Sequence, residues 1–290
     1  MRILSLIDRA RSCPIRLRPL LLGALVLGSA VFRCADAAEP AAGAGLHVQT
    51  FGSGPPIAFL HGGLQNFSSA YARQRDDLAR SHTVIGIDQR GHGRSADDER
   101  PFSYTGMAED TAAVLRRLAL GPVDVVGHSD GGNVALILAS RHPELVRRVV
   151  VSGANLRAGL PADELERRRT WTDAQVADKL AELEKHLPPR FRADYQALSP
   201  DGAAHWPIHL AKSYALWLTP VVIDRPALQA IRAPVLVIAG DKDFTSIEET
   251  AEIYRALPKG QLFIVPGSGH GTFEDRTTLV DLAIREFLER

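Results

Sequence analysis

Val123-Asp124-Val125-Val126-Gly127-His128-Ser129-Asp130-Gly131-Gly132 is the stretch that decides the fold. Val123–Val126 is a short β-branched run, and an amphipathic helical pattern runs over Asn133–Arg141 before Pro143 stops it. The chain must pass from one to the other through G-x-S-x-G, a strand–turn–helix bend sharp enough to strain its central residue. Residues two away on either side then have no room for a side chain, which is what Gly127 and Gly131 provide. The bend lifts the Ser129 hydroxyl clear of the strand and aims the next amides at whatever binds there.

Outward from this bend, short apolar runs alternate with longer amphipathic stretches. The strands expected are Ile57–Leu60, Thr83–Asp88, Val123–Val126, Arg148–Ser152, Val235–Ala239 and Gln261–Val265. Several are continuously apolar, as parallel strands covered on both faces are. The expected helices are Ser68–Arg80, Thr105–Leu118, Asn133–Arg141, Thr245–Leu257, opened by a Thr245/Glu248 capping box, and Thr278–Leu288. This alternation predicts an α/β fold with a mostly parallel central sheet and right-handed crossovers. Between Leu156 and Pro226 no strand pattern appears. Helical patterns over Asp163–Leu187 and Ile208–Leu218, punctuated by prolines 188, 189, 200, 207 and 220, predict an inserted helical lid over the strand ends.

The leading residues read differently. Arginines 2, 9, 11, 16 and 18 precede an uncharged run, Leu20–Phe32, and then Ala35-Asp36-Ala37. This order predicts a signal peptide over residues 1–37 and export to the periplasm or beyond, with a membrane tether by an uncleaved leader as the alternative. Thirteen residues fall short of the roughly 20 that span a bilayer, so no stable span is expected after cleavage. Residues 38–290 then carry 28 bases and 32 acids, a net charge of −4, and neither Cys13 nor Cys34. Thiol and zinc–thiolate chemistry are excluded there, and no basic excess serves a nucleic-acid partner. The domain division expected is a leader (1–37), a core (38–155 and 227–290) and a cap (156–226).

A serine hydroxyl needs a base, and the base needs an orienting acid. Behind this type of bend the chain order is serine, acid, histidine. His270, in Gly269-His270-Gly271 after the last strand, is the base that order selects. The acid is Asp243 or Asp241. Asp243 is favoured because it lies further into the loop, and Asp241 then serves to bind turn amides. The oxyanion expected on acyl attack needs two amides. The Asp130 amide is one, and the second comes from His61-Gly62-Gly63-Leu64, with Gly63 favoured over Leu64.

These motifs, together with Asp88-Gln89-Arg90-Gly91-His92-Gly93-Arg94-Ser95, resemble those of the α/β-hydrolase-fold serine hydrolases over nearly all of residues 46–290. The resemblance implies Ser129 as nucleophile, Asp243 as acid, His270 as base and the Gly63 and Asp130 amides as oxyanion donors. It gives Asp88, Arg90, His61 and His92 structural parts beside the site. The Ser-Asp-Gly-Gly bend is similar to that of the biphenyl-hydrolase-like group, which includes valacyclovir-type hydrolases, and implies that Asp130 meets a cationic or polar acyl group. Leu64, Asp130 and Trp217 are the substrate-contacting candidates, with Trp171, Trp206, Tyr195, Tyr214, Phe191 and Leu216 as further lining or as lid core. The activity expected is cofactor-free and metal-free hydrolysis of a small ester or related acyl compound. Amide cleavage, C–C bond hydrolysis and haloperoxidase-like perhydrolysis use the same residues, and a non-catalytic ligand-binding protein is the rival from another class. Dehalogenase and epoxide-hydrolase chemistry is disfavoured, because the glycines centre Ser129 and not Asp130.

Overall fold

The computed structural model describes residues 45–156, 171–219 and 223–289. The predicted leader, and positions 163–170 of the predicted Asp163–Leu187 helix, lie outside them. Seven strands form one sheet: β1 (Val48–Phe51), β2 (Pro56–Leu60), β3 (Thr83–Ile87), β4 (Val123–His128), β5 (Val146–Ser152), β6 (Val235–Gly240) and β7 (Gly260–Val265). Their order is β1-β3-β2-β4-β5-β6-β7. β1 runs antiparallel on β3, and every other pairing is parallel. The chain steps outward from β2 to β3 and then returns to place β4 on the other side of β2. The carboxyl ends of β2 and β4 therefore flank a topological switch point, where such sheets open a crevice for a ligand.

Alternation within the strands explains the continuous apolar runs. Ala58 and Leu60 of β2 face one core cluster, while Ile57 and Phe59 face the other. Val149 and Val151 of β5 likewise oppose Val150. Helices α3 (Tyr104–Leu118) and α4 (Asp130–Arg141) cover the first face, together with α8 (Arg225–Ala230) and α9 (Ile247–Ala256). The second face is covered by α1 (Phe67–Ala70), α2 (Ala72–Leu78), α10 (Thr272–Asp275) and α11 (Thr277–Leu288).

Three local expectations are corrected. The predicted Ser68–Arg80 helix is two helices, α1 and α2. They break at Tyr71 (φ −133°), which is 1% exposed and donates its hydroxyl to the Leu60 carbonyl at 2.9 Å. Ser246, not Thr245, caps α9, accepting from the Glu249 amide, because Thr245 is buried with its amide bound to Asp243. β1 has no counterpart among the predicted strands. It is a four-residue edge strand, too short and too unevenly covered to show a pattern.

The insertion contributes α5 (Asp173–His186), α6 (Pro189–Leu198) and α7 (Trp206–Leu218). α6 went unpredicted because Pro189, which reads as punctuation, sits in the first turn, where a missing N–H costs nothing. These helices share an apolar cluster of Val176, Leu180, Tyr195, Trp206 and Leu210 that closes over Leu64 of the core.

Candidate active site

Ser129 sits between β4 and α4 with φ 54° and ψ −121°, a left-handed backbone on a non-glycine residue. A Cβ on Gly127 would stand 2.2 Å from the Gly131 carbonyl oxygen, and one on Gly131 would stand 2.0 Å from that of Leu60. Both contacts are impossible for real side chains, so the glycine spacing is a steric requirement. The Ser129 amide donates to the Ser152 carbonyl at 2.8 Å, tying the bend to β5. Asp130 opens α4, and its amide points out of the first turn, where an N–H has no intrahelical acceptor.

The loops after β6 and β7 bring the other predicted residues here. His270 Nε2 lies 2.9 Å from Ser129 Oγ, and its Nδ1 lies 2.9 Å from Asp243 Oδ1. The Asp243 side chain is wholly buried while His270 keeps 24% exposure. The Thr245 amide also donates to Asp243 Oδ1, at 3.0 Å, which fixes the carboxylate. With Nδ1–H donating to Asp243, the lone pair on Nε2 faces the serine hydroxyl. Asp241 is turned elsewhere: its Oδ1 accepts from the Gly267 and Ser268 amides at 2.7 and 3.2 Å, holding the loop that carries His270.

Two residues that sequence reasoning missed also set this geometry. A Cβ on Gly153 (φ +63°) would lie 2.7 Å from His270 Cε1, so only glycine leaves room for the ring. His128 Nε2 donates to the His270 carbonyl at 2.9 Å. Burial, followed by the neighbouring His270, pushes the His128 imidazole down to about 4, keeping it neutral for that bond. The need for Gly153 comes from a ring on a distant loop, whereas His128 stood inside the decisive motif as its variable position.

The predicted oxyanion elements converge as well. A Cβ on Gly63 would be 2.5 Å from Asp130 Oδ2 and 2.7 Å from Trp217 Cζ2, so the backbone there runs tight against both. Leu64 is corrected as a substrate-contacting candidate: with φ +59° its side chain turns into the cap cluster, 3% exposed, away from the cavity wall. Asp130 is held from both sides. Tyr104 donates its hydroxyl to Oδ1 at 2.7 Å and Trp217 Nε1 donates to Oδ2 at 2.9 Å. Burial raises the Asp130 carboxyl above the usual range, and the two donors oppose that shift. The neighbouring motif is structural. Asp88 accepts from the Phe67 and Arg94 amides, and Arg90 binds Asp98, Asp110 and two carbonyls. His61 donates Nδ1–H to the Gly62 carbonyl and accepts from the Gln89 amide.

Ser129, His270 and Asp130 open into a cavity of about 580 Å³. Its walls include Tyr71, Leu187, Phe191, Trp217, Phe244 and Phe273. Of the predicted lining residues, Trp217 and Phe191 reach it. Trp206 and Tyr195 form the cap's own core with Trp171 and Tyr214 packed on it, and Leu216 joins the main core. Across the rim, Arg190 of α6 pairs with Glu274 of α10 at 2.8 Å. Among the described residues no group of three or more His, Cys, Asp or Glu side chains is arranged to hold a metal ion, and no helix is long and apolar enough to cross a membrane.

Residues 57–282 match the Alpha/beta hydrolase family. The chain belongs to this family. Two relatives show the range within it. The 2-(acetamidomethylene)succinate hydrolase of Mesorhizobium japonicum is 29% identical over 258 residues, covering 84% of this chain and 91% of the relative. The 2-hydroxymuconate semialdehyde hydrolase of a Pseudomonas species is 29% identical over 274 residues, covering 86% and 92%. Among solved structures, an esterase from Thermogutta terrifontis shares the fold with a TM-score of 0.66 at 24% identity, covering 84% of this chain and 93% of its own. This α/β-hydrolase-family chain is a hydrolase. The family assignment agrees with the strand order, the strained serine and the loops that bring Asp243 and His270 to it.

Proposed function

We propose that the chain hydrolyses small carboxylic esters or related acyl compounds through an acyl-enzyme on Ser129. The observation that carries the reading is the unbroken contact Ser129 Oγ–His270 Nε2–Asp243 at 2.9 Å per step, ending on a wholly buried carboxylate. His270 takes the Ser129 proton as Oγ attacks the acyl carbon, and Asp243 stabilises the imidazolium that forms. The developing oxyanion is held by the Gly63 and Asp130 amides, a contribution of roughly 3–4 kcal/mol for each donor. His270 returns the proton to the departing oxygen, the acyl–oxygen bond breaks, and water then repeats the sequence on the acyl-enzyme. None of these steps draws on a metal or organic cofactor.

Asp130 supports the oxyanion turn from behind, as a strut between α4 and Trp217 of the cap, and each of its oxygens already has a donor. Residues 156–226 act in this reading as the lid that closes the acyl cavity, and residues 1–37 direct export. Hydrolysis of a C–C bond is the second reading, favoured by the likeness to 2-hydroxymuconate semialdehyde hydrolase along 86% of the chain. Ser129→Ala tests the primary reading with p-nitrophenyl esters and a fluorophosphonate probe. Turnover is expected to fall by about 10⁶-fold, to the background of a bare binding site, and labelling to vanish. Unchanged ester turnover in the variant would remove Ser129 from the mechanism.

A further inference from the structure

Phe244 follows the buried Asp243 directly, and its ring lies over the imidazole of His270, centroid to centroid 4.2 Å at a tilt of 33°. It is nonetheless 74% exposed, the most exposed of the large apolar side chains in the described residues. Its backbone has little freedom. Asp243 before it is held by His270 and by the Thr245 amide, and Thr245 after it is 3% exposed. The ring stands on the cavity rim, one part of it against His270 and the rest uncovered. A phenylalanine left in water forgoes burial that a bound apolar group can recover.

The position of the ring decides which part of a substrate covers it. On the proposed hydrolytic reading, on which this inference rests, Nε2 of His270 delivers its proton to the oxygen of the departing alcohol. That alcohol must lie beside the imidazole, while the carbonyl oxygen lies toward Gly63 and Asp130. The group next to Phe244 is thus the alcohol portion and not the acyl portion. Tilted aromatic contacts favour a flat ring over a saturated one of similar size. Phe273, edge-on to His128 at 5.8 Å, lines the same cavity. We infer that Phe244 is a specificity-determining platform that selects substrates with an aromatic leaving alcohol.

Benzyl and cyclohexylmethyl esters of one acid separate flatness from bulk, since both release a primary alcohol. The wild-type protein is expected to prefer the benzyl ester by about three- to tenfold in kcat/KM, Phe244→Ala to bring the ratio close to one, and Phe244→Tyr to retain it. A benzyl preference that persists in Phe244→Ala, or a fall of equal size for benzyl, cyclohexylmethyl and methyl esters alike, overturns the platform. The second outcome would mean that Phe244 serves only to seat His270. Saturation-transfer NMR with the two product alcohols reads the platform without turnover. Benzyl alcohol should be contacted in the wild type and lose that contact in Phe244→Ala, and equal signals in both proteins also overturn it. A wild-type protein that cleaves none of the esters yet holds benzyl alcohol through Phe244 would defeat the hydrolytic reading and leave the platform standing.

Discussion

Two groups of histidines lie within this fold and meet opposite fates. His270 keeps partial exposure, with a buried carboxylate behind it and a hydroxyl in front. His61, His92 and His209 are each 3% exposed or less and pack against one another where the cap meets the core. His209 stacks on Tyr195 at 4.5 Å and meets His92 edge-on at 4.5 Å, and its Nδ1 has no partner among the described residues. Burial pushes His209 down to about 3, with His205 and Lys212 adding to the shift, and burial lowers His61 and His92 as well. The nearby cation Lys212 is held by Asp97 at 2.5 Å, and His205 contacts the same carboxylate. On the proposed reading, a histidine here becomes equipped for proton transfer through a dedicated acid, not through depth. Depth alone makes it a neutral packing piece.

The sharpest way to break this contrast is to remove the acid. Asp243→Asn is expected to lower kcat on a p-nitrophenyl ester by about 10⁴-fold while leaving the fold intact, because the amide no longer fixes the Nδ1–H tautomer. A loss below tenfold would erase the distinction between the two groups. Acidification tests the other side. The buried histidines bind protons less readily in the folded chain than in the unfolded one, so the unfolded state takes up protons first as pH drops. Stability is therefore complete above the unfolded value near 6.5 and declines below it, toward about 4 for His128 and about 3 for His209, by up to about 1.4 kcal/mol per pH unit for each group. Urea unfolding between pH 7 and 4 should show this slope, and His209→Phe should flatten it; an identical slope in the variant would remove His209 from the account. The smallest effect concerns the tie between cap and core. Trp217→Phe takes the donor from Asp130 Oδ2, an expected cost of about 1–3 kcal/mol in urea unfolding, together with a raised KM. An unchanged KM would separate the cap from substrate binding.

Much of the core was legible because the central strands are buried on both faces, so a run such as Val235–Ala239 is apolar without interruption, whereas the edge strand β7 leaves Gln261 and Leu262 exposed. The serine bend was legible because its glycines answer a local steric demand. The rest depended on tertiary partners. Sequence order left Asp241 and Asp243 both open, and only the loop path shows Asp243 behind His270 and Asp241 bound to amides. Gly153 is required by a ring more than a hundred positions away along the chain, and no local pattern carries that. Leu64 illustrates the opposite error. Its backbone lies beside the predicted oxyanion turn, but a positive φ sends its side chain into the cap.

The bond from Trp217 to Asp130 joins a wall of the cavity to the first residue of the helix that follows Ser129. Any displacement of α7 that carries Trp217 away must break that link and leave the Asp130 carboxylate held by Tyr104 alone. On the hydrolytic reading proposed above, admission and reaction are thereby kept apart in time: a pocket opened in this way is unready, and readiness returns only once the indole has come back to its carboxylate.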